Sequence, residues 1–327
     1  MSSERYEIIE SLGTGHFTAG VYRCRHVDLR REVAVKLLKV GDHVDREELL
    51  REARTMASIG QHNNVVQVLD AGDWDEEHVY LAVALCLDGS LQSLIPERGV
   101  DPAFACRAIS DSCRGLEFMH RNGLLHLDIR PANILLKDMV PKLGDFGLAR
   151  WSHDPGVPFV YAAHASPEML CGGAGSELAD QYAMAMTLGH LLTAGKICAD
   201  PLPSPITERA WRTCHPVQAL GSNVPDRLKK VIKKATSFSS QDRYADIERF
   251  KQALDGATPT VSFRFLDATN LISSDGCWAI SLTEGAGVHL VEVKRNGRRQ
   301  AARCAGNNSE AVALDHLRHV VNALAYA

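Results

Sequence analysis

The sequence lacks the features that mark membrane proteins, metal knuckles and proteins with a general affinity for polyanions. It has no run of about 18 apolar residues, the length that a membrane-spanning helix needs. Its nine cysteines include no C-x-x-C pair, so neither a metal knuckle nor a redox pair is predicted. The net charge of −4 gives no overall attraction for nucleic acid or an acidic membrane surface. Because no signal peptide is evident, we expect reduced thiols, a cytoplasmic location and no membrane partner.

The composition is that of a folded chain. With 327 residues, of which 45% are hydrophobic, the chain is long enough for two or three compact units. Polarity alternates with period two over residues 6–12, 21–25 and 32–38, which predicts antiparallel strands. On the third of these strands Lys36 shares a face with Ala34, so a small side chain leaves room for a purine beside a cation.

Two glycines lie between the first two predicted strands, at Gly13 and Gly15. Glycine has no Cβ, so backbone N–H groups at these positions can approach phosphate oxygens. The same pattern is equally typical of an ordinary Gly-rich hairpin without a ligand. The two glycines alone do not decide between these interpretations.

Two acidic loops carry the strongest chemical signal. The first reads His-Leu-Asp-Ile-Arg-Pro-Ala-Asn at 126–133, and the second reads Lys-Leu-Gly-Asp-Phe-Gly at 142–147. Phosphoryl transfer needs a carboxylate that orients a hydroxyl and accepts its proton, and Asp128 fits this role. Asn133 and Asp145 supply the oxygen ligands that Mg²⁺ prefers. We expect this metal site to form only when a nucleotide is present.

In order and spacing, these motifs resemble those of the eukaryotic-like serine/threonine protein kinase family, over about residues 5–255. The resemblance implies an α+β, bilobal protein-kinase fold, with an antiparallel sheet and one helix in the N-lobe and a mostly helical C-lobe. It implies ATP and Mg²⁺ as cofactors and a protein as substrate. It also implies that Asp128 is the catalytic aspartate and that Arg130 lies near the γ-phosphate, where relatives place a lysine.

The resemblance assigns a set of residues to the nucleotide. These residues are Gly13, Gly15, Ala34, Lys36, Val83, Ala84 and Cys86. The segment 79–91 is similar to the hinge between the lobes, where adenine bonds to backbone groups from Ala84 to Cys86. Val83 would lie at the back of the adenine pocket and, being small, would leave it open.

Lys36 is expected to form an ion pair that holds it against the α- and β-phosphates. Its partner would be Glu52, which flanks the apolar stripe of a helix predicted over 44–58. Glu48 is the alternative partner if the register of that helix is shifted. The resemblance therefore names Asp128, Arg130, Lys36 and Glu52 as the catalytic set.

The catalytic loop departs from the family at Leu127. Relatives commonly place an arginine there, and its charge receives a phosphate on the activation segment. The segment from Asp145 to Glu168 is also short, and Ser152 is its only serine or threonine before Ser166. We therefore expect an activity that does not require activation-loop phosphorylation.

Further along, the resemblance implies two structural contacts. Asp180 is similar to the aspartate that holds the backbone of the catalytic loop. Arg243 is similar to the arginine that pairs with the glutamate of a Pro-Glu motif, here Glu168. Without the resemblance, each would be interpreted as a surface charge.

A different pattern begins near residue 256. The segments 261–266, 277–282 and 287–293 are typical of strands, and Asn296-Gly297 predicts a two-residue hairpin turn. The sequence at 308–310 then predicts the start of a helix whose apolar face consists of Val312, Leu317, Val320, Val321 and Leu324. We expect an N-lobe at 1–86, a C-lobe at 87–255 and a small α+β appendage of unknown role at 256–327.

The appendage carries a basic hairpin over residues 294–303. Its five basic residues are Lys294, Arg295, Arg298, Arg299 and Arg303. An acidic or phosphate-bearing partner is one interpretation. The order of elements is faintly similar to double-stranded RNA-binding domains, but the basic helix start of those domains is absent. The plainer alternative is a sheet edge that charge protects from aggregation.

The function predicted from the sequence is ATP-dependent transfer of the γ-phosphoryl group to serine or threonine of a protein. A small-molecule phosphotransferase is a rival, but the Pro-Glu motif at 167–168 argues against it. A nucleotide-binding scaffold without transfer is a second rival, motivated by Leu127, the short activation segment and Thr18 in place of a third glycine. The complete set of polar cleft residues argues against that rival.

Overall fold

The structure is a computed structural model that describes residues 5–13, 19–40, 46–47, 50, 57, 60–95, 99–153, 163–198, 207–213, 215–267, 269–285 and 287–326. The predicted α+β, two-lobed arrangement is confirmed, because a five-stranded sheet precedes a mainly helical region. A second sheet and one helix follow. Across the described residues, no helix is both long and apolar enough to cross a membrane. The exact bounds of the three units remain a prediction.

The first sheet is antiparallel, with its strands in the order β1-β2-β3-β5-β4. Its strands are β1 (Tyr6–Gly13), β2 (Gly20–His26), β3 (Arg31–Lys39), β4 (Val68–Asp73) and β5 (His78–Ala84). The strands predicted from period-two alternation are thus confirmed. Val33 and Val35 of β3 are buried on one face against Tyr6 and Tyr80. Lys36 therefore emerges on the opposite face.

A half-buried carboxylate links the two edge strands of this sheet to its centre. Asp70 accepts hydrogen bonds from the hydroxyls of Tyr6 (3.0 Å) and Tyr80 (2.8 Å) and from Nη1 of Arg5 (3.0 Å). Burial alone would raise the pKa of Asp70, but these donors outweigh it and lower the pKa. The sheet that carries Lys36 is therefore cross-linked on the face turned away from it.

The central region is mainly helical. Its helices are α1 (Pro102–Arg121), α2 (Pro167–Leu170), α3 (Glu177–Thr193), α4 (Glu208–Thr213), α5 (Asp226–Ala235) and α6 (Ile247–Ala257). Asp101 is the N-cap of α1, with Oδ2 accepting from the Phe104 N–H at 3.0 Å. Leu116 of α1 and Phe250 of α6 are fully buried in the shared core.

Two short antiparallel pairs at the carboxyl end of α1 carry the acidic loops. These pairs are β6 (Leu124–Leu125) with β9 (Arg150–Trp151), and β7 (Ile134–Lys137) with β8 (Val140–Leu143). The first acidic loop leaves β6 and ends where β7 begins, and the second follows β8. The strand pairing therefore places both loops at one edge of the helical region.

The appendage contains a second antiparallel sheet in the order β10-β11-β12-β13-β14, with β15 also paired to β13. Its strands are β10 (Phe263–Phe265), β11 (Asn270–Ser273), β12 (Trp278–Gly285), β13 (Val288–Arg295), β14 (Arg298–Arg299) and β15 (Ala305–Asn307). The predicted turn is confirmed, since Asn296 and Gly297 have φ of 49° and 76° between β13 and β14. Strands β11 and β15 were not predicted, because each is too short to show an alternating pattern.

One helix, α7 (Glu310–Ala325), covers a face of this sheet. Its N-cap is Ser309, as the sequence at 308–310 predicted. The predicted apolar face is confirmed for Leu317, Val320, Val321 and Leu324, which are all buried. It is wrong for Val312, which is 54% exposed. Ala313 occupies the buried position instead, because adjacent helical residues are turned by about 100°.

The appendage is bonded to the helical region at several points. The Asp226 N–H at the start of α5 donates to Oδ1 of Asn322 at 2.7 Å. The Tyr326 hydroxyl donates to the Ala257 carbonyl at 2.8 Å, and the Arg227 guanidinium lies 4.4 Å from the Tyr326 ring centroid. The Ser262 hydroxyl donates to Asp101. These contacts fix the appendage against α1, α5 and the end of α6.

Candidate active site

The face of the first sheet opposite the buried Val33 and Val35 carries the predicted nucleotide-binding residues. Ala34 pairs with Val83, and Lys36 lies in register with Leu81, so Ala34, Lys36 and Val83 share this face. Gly13 faces Val21 in the pairing of β1 with β2, and Val21 is in turn the partner of Lys36. The structure thus brings four of the predicted residues together. Gly15, Glu52 and the alternative Glu48 lie outside the described residues.

Lys36 and Asp145 meet across the space between the lobes. The Lys36 ammonium donates to Oδ1 of Asp145 at 2.6 Å, although the two residues are 109 positions apart. Burial would raise the pKa of Asp145, but the charge and hydrogen bond of Lys36 outweigh it and lower the pKa. Asp145 has a left-handed φ of 57°, which aims its carboxylate at Lys36. A carboxylate kept ionised beside a cation is suited to hold a metal-bound polyphosphate.

The first acidic loop is folded around Asn133. Its amide nitrogen donates to Oδ2 of Asp128 at 2.7 Å and to the Asp128 carbonyl at 2.8 Å. Both bonds use the nitrogen, so the side-chain oxygen of Asn133 is the atom left to act as a ligand. Arg130 Nε lies 3.5 Å from Oδ1 of Asp128. The loop therefore brings the predicted base, the predicted cation and one predicted metal ligand together.

Asp128 is largely shielded, with 14% of its side chain exposed. Burial raises the pKa of Asp128, and the charge of Arg130 opposes that rise. A carboxylate of raised pKa is a better proton acceptor than a free aspartate. Its environment thus suits the role predicted for it.

Sequence reasoning missed the residues that join the two acidic loops. His126 is fully buried; its Nε2 bonds to the Gly144 carbonyl at 3.1 Å, and its Nδ1 accepts from the Asp128 N–H at 3.3 Å. The Phe146 ring lies 5.6 Å from the His126 ring, between centroids, and is buried in the core. An apolar Phe directly after Asp145 was the available signal, since an exposed loop would not bury it.

Asp180 holds the backbone of the first loop, as predicted. Its carboxylate is fully buried and accepts the N–H groups of His126 and Leu127, both at 2.8 Å. It also bonds to Nε2 of His120 at 2.9 Å. Leu127 adopts a left-handed φ of 63°, a conformation that costs energy for a residue with a Cβ. The two bonds to Asp180 therefore stabilise a strained backbone next to Asp128.

Leu127 occupies an apolar site. It is 7% exposed and packs with Leu125, Met169 and Ala179, while Leu148 lies at the edge of this cluster. The cluster joins the catalytic loop to α2, α3 and the start of the activation segment. The position where relatives have a phosphate-binding arginine is thus filled by a hydrocarbon contact.

The hinge follows β5. The Ala84 N–H donates to the Gln67 carbonyl at 2.9 Å, so it is already engaged within the sheet. The Cys86 thiol lies 3.7 Å from the Ala84 carbonyl, and burial raises the pKa of that thiol. Of the predicted adenine contacts, the backbone of Cys86 is therefore better placed to donate than that of Ala84.

The oxygens at this site fit a hard divalent cation. Asp145 and Asn133 offer a charged and a neutral oxygen, the ligand type that Mg²⁺ prefers. Within the described part of the chain, no group of three or more His, Cys, Asp or Glu side chains could hold a metal ion. A metal at Asn133 and Asp145 would therefore take its other ligands from nucleotide phosphates and water.

The predicted pair of Glu168 with Arg243 is confirmed. Nη1 and Nη2 of Arg243 each donate to one carboxylate oxygen of Glu168 at 2.7 Å. The Arg243 side chain is 0% exposed, and its guanidinium lies 5.0 Å from the Tyr182 ring centroid. Burial would raise the pKa of Glu168, but Arg243 outweighs it and lowers the pKa. This pair anchors α2, and with it the end of the activation segment.

Residues 6–255 of the chain match the protein kinase domain family. Among curated proteins, serine/threonine-protein kinase PknF of Mycobacterium tuberculosis is 31% identical over 268 residues, which cover 76% of this chain and 55% of that protein. PknL of Mycobacterium bovis is 33% identical over 253 residues, with 74% of this chain and 63% of that protein covered. PknB of Mycobacterium tuberculosis is 29% identical over 294 residues, or 83% and 47% of the two chains.

The chain thus spans about half to three fifths of the length of these curated relatives. The matched region includes the first sheet, both acidic loops and the Glu168–Arg243 pair. The family match covers most of the chain, and the three relatives are all serine/threonine-protein kinases. Both findings agree with the geometry of the cleft. The chain therefore belongs to the protein kinase domain family.

Proposed function

We propose that this chain is an ATP- and Mg²⁺-dependent protein kinase that transfers the γ-phosphoryl group to serine or threonine of a protein substrate. The observation that supports this most is the 2.6 Å contact of Lys36 with Asp145. It supports the proposal because a cation suited to phosphates and a carboxylate suited to a metal lie on facing sides of one cleft. Asp128 and Asn133, bonded to each other at 2.7 Å, supply the proton acceptor and a second metal ligand.

In the proposed mechanism the residues of the chain position the reactants. Lys36 holds the phosphates of ATP, and Ala34 and Val83 contact the purine. Mg²⁺, held by Asn133 and Asp145, would neutralise charge on the phosphate oxygens. Asp128 orients the substrate hydroxyl and accepts its proton, and Arg130 offers a guanidinium to the transferred phosphoryl group.

The first prediction tests this proposal with Asp145→Asn. The variant keeps the shape of the side chain but removes the charge that serves both Lys36 and the metal. Transfer of labelled phosphate from ATP to a generic protein substrate should fall by about 100-fold or more, since a bound metal contributes several kcal/mol to such a transition state. The wild type should also lose transfer when Mg²⁺ is removed.

Asp138→Asn is the matched control. Asp138 lies in the exposed turn between β7 and β8 with a φ of 52°, a conformation that asparagine also tolerates. Its rate should stay within about twofold of wild type, as is usual for surface substitutions. If wild type binds nucleotide but transfers nothing, the scaffold alternative holds. Transfer to a small molecule but never to protein would favour the phosphotransferase alternative.

As part of the same proposal, activity does not require phosphorylation of the activation segment. The support is the apolar cluster of Leu127 with Met169 and Ala179, which links the catalytic loop to the end of that segment without a phosphate. The second prediction is that phosphatase-treated protein, and Ser152→Ala, each keep at least about half of the wild-type rate. Loss of activity after phosphatase that returns only when Ser152 is rephosphorylated would refute this.

We further propose a cytoplasmic location and an acidic or phosphate-bearing partner at the basic hairpin 294–303. ATP is an intracellular nucleotide, and the seven cysteines whose side chains the structure describes are free thiols, which suits a reducing compartment. The hairpin is not uniformly basic, however. Glu292 lies 2.8 Å from Lys294 and 3.6 Å from Arg299, so two of the five cations already have a carboxylate partner.

A further inference from the structure

The two faces of the basic hairpin differ in charge. Lys294 pairs with Arg299 across β13 and β14 on one face, where Glu292 contacts both. Arg295 pairs with Arg298 on the other face. Side chains directly opposite each other in an antiparallel pair share a face, so the hairpin separates a face whose cations contact a carboxylate from a face whose cations do not.

The cationic face is built around one indole. Trp278 of β12 lies directly opposite Arg295, and the Arg295 guanidinium carbon is 5.1 Å from the indole centroid. The Arg303 guanidinium carbon lies 5.6 Å from the same ring. We use the name Trp278 surface for Trp278, Arg295, Arg298 and Arg303. Its two stacked guanidinium groups are held in place by the aromatic ring and by their backbone.

Further contacts fix this surface in position. The Arg303 carbonyl accepts a hydrogen bond from Nε2 of His316 on α7 at 3.0 Å. Trp278 also packs against the buried core of the appendage. Among the residues that the structure describes, no carboxylate forms an ion pair with Arg295, Arg298 or Arg303. Two cations, Arg295 and Arg303, therefore meet at one ring, and Arg298 lies directly opposite Arg295 in the strand pairing. A doubly charged anion would relieve the repulsion between these cations.

We propose that the Trp278 surface binds the phosphate of a phosphoserine or phosphothreonine in a peptide segment. A phosphate monoester carries close to two negative charges and three acceptor oxygens, and guanidinium forks match it bidentately. β14 lies at the end of the sheet, and its outer edge pairs with no strand among the described residues. A peptide can therefore add its backbone to this edge while its phosphate contacts the arginines.

A peptide fits the surface better than a nucleic acid. Tight nucleic-acid binding draws on many phosphate contacts along a track, whereas Arg295 and Arg303 meet at a single ring. The net charge of −4 would oppose an extended polyanion. Only the origin of the phosphorylated segment rests on the proposed kinase activity, since the same chain would generate phosphoserine or phosphothreonine. The binding itself does not depend on it.

The test uses the full chain without ATP and two fluorescent peptide libraries of random sequence. One has a central phosphoserine, and the other has serine at the same position. Fluorescence anisotropy should show binding of the phosphorylated library at least about tenfold tighter than of its twin, as charge-assisted contacts to phosphate predict. Arg295→Gln combined with Arg303→Gln should weaken that binding by about tenfold or more.

The matched control is Lys294→Gln combined with Arg299→Gln, which removes the same charge from the opposite face. Its affinity should stay within about threefold of wild type, since both of those cations already contact Glu292. Melting curves of both double variants establish that each is folded. Asp145→Asn should bind like wild type, so a failed kinase assay leaves this inference intact.

Three outcomes would overturn the inference. The first is equal affinity for the two libraries. The second is an equal loss in both double variants, which would indicate a general charge effect. The third is an electrophoretic shift of RNA that is stronger than peptide binding and falls steeply with salt, which would assign the surface to nucleic acid. Free inorganic phosphate should compete only weakly, because it lacks the backbone of the peptide.

Discussion

Replacing Asp128 by asparagine should lower kcat by about 10²–10⁴-fold, the usual contribution of a positioned general base. Asparagine keeps the side-chain shape and can still accept the hydrogen bond that Asn133 donates at 2.7 Å. It cannot take the proton of the substrate hydroxyl. The KM for ATP should change by less than about threefold, because the lost interaction belongs to the transition state. Steady-state kinetics with labelled ATP and a protein substrate would measure both quantities.

The pH dependence of the same reaction provides a check. Burial raises the pKa of Asp128 above 3.8, and only the ionised form accepts a proton. Wild-type kcat/KM should therefore decline, as the pH falls, at a higher pH than an ordinary aspartate would give. Asp128→Asn should not show this decline of kcat/KM at low pH, while Asp138→Asn should show it. If the same decline of kcat/KM persists in Asp128→Asn, another residue is the base.

Arg243→Gln should have the largest effect on folding, lowering the free energy of unfolding by about 3–5 kcal/mol, as is typical when one partner of a buried ion pair is removed. The guanidinium is 0% exposed and donates to both oxygens of Glu168 and to the carbonyls of Leu178, Ser237 and Phe238. Glutamine cannot reach these acceptors together. Urea unfolding of both proteins would measure the difference.

The matched control for that variant is Arg212→Gln. Arg212 also contacts a glutamate, Glu208 at 2.6 Å, but it is 77% exposed. Such surface pairs contribute about 0–1 kcal/mol. A small loss in Arg243→Gln, comparable to that of the control, would contradict the structural role of the buried pair.

The direction in which pH changes the stability of the folded protein follows from the pKa of Glu168. Its pKa is lowered in the folded protein, so its stabilising contribution is present above the ordinary value of 4.5 and is lost as the pH falls through the lowered pKa. The stability difference between wild type and Arg243→Gln should accordingly narrow on acidification.

Sequence reasoning located most of the cleft because its chemistry requires particular residue types at fixed positions. Lys36 follows from strand alternation, and Asp128, Asn133 and Asp145 follow from loops in which a carboxylate or amide serves phosphoryl transfer. The bond of Asp180 to the loop backbone came only through the family resemblance. The sequence around a single aspartate in a helix does not indicate which backbone groups its carboxylate binds.

The remainder depends on contacts that one-dimensional patterns do not encode. The His126 bond to Gly144 joins two loops through a backbone carbonyl, which has no sequence signature. Strands β11 and β15 of the appendage are held by their neighbours and not by their own alternation. Val312 has the apolar character of a core residue but lies one position off the buried stripe. The difference between the two faces of the basic hairpin required the cross-strand register.

The length of α1 sets the distance between the base of the appendage and the loop of Asp128. Asp101 caps α1, a helix of 20 residues, which at 1.5 Å per residue is about 30 Å long. At the amino-terminal end of α1, Asp101 is bonded to Ser262 at the base of the appendage. The carboxyl end of α1 leads through β6 into the loop of Asp128. A peptide bound by the appendage would therefore be held at a set distance from Asp128.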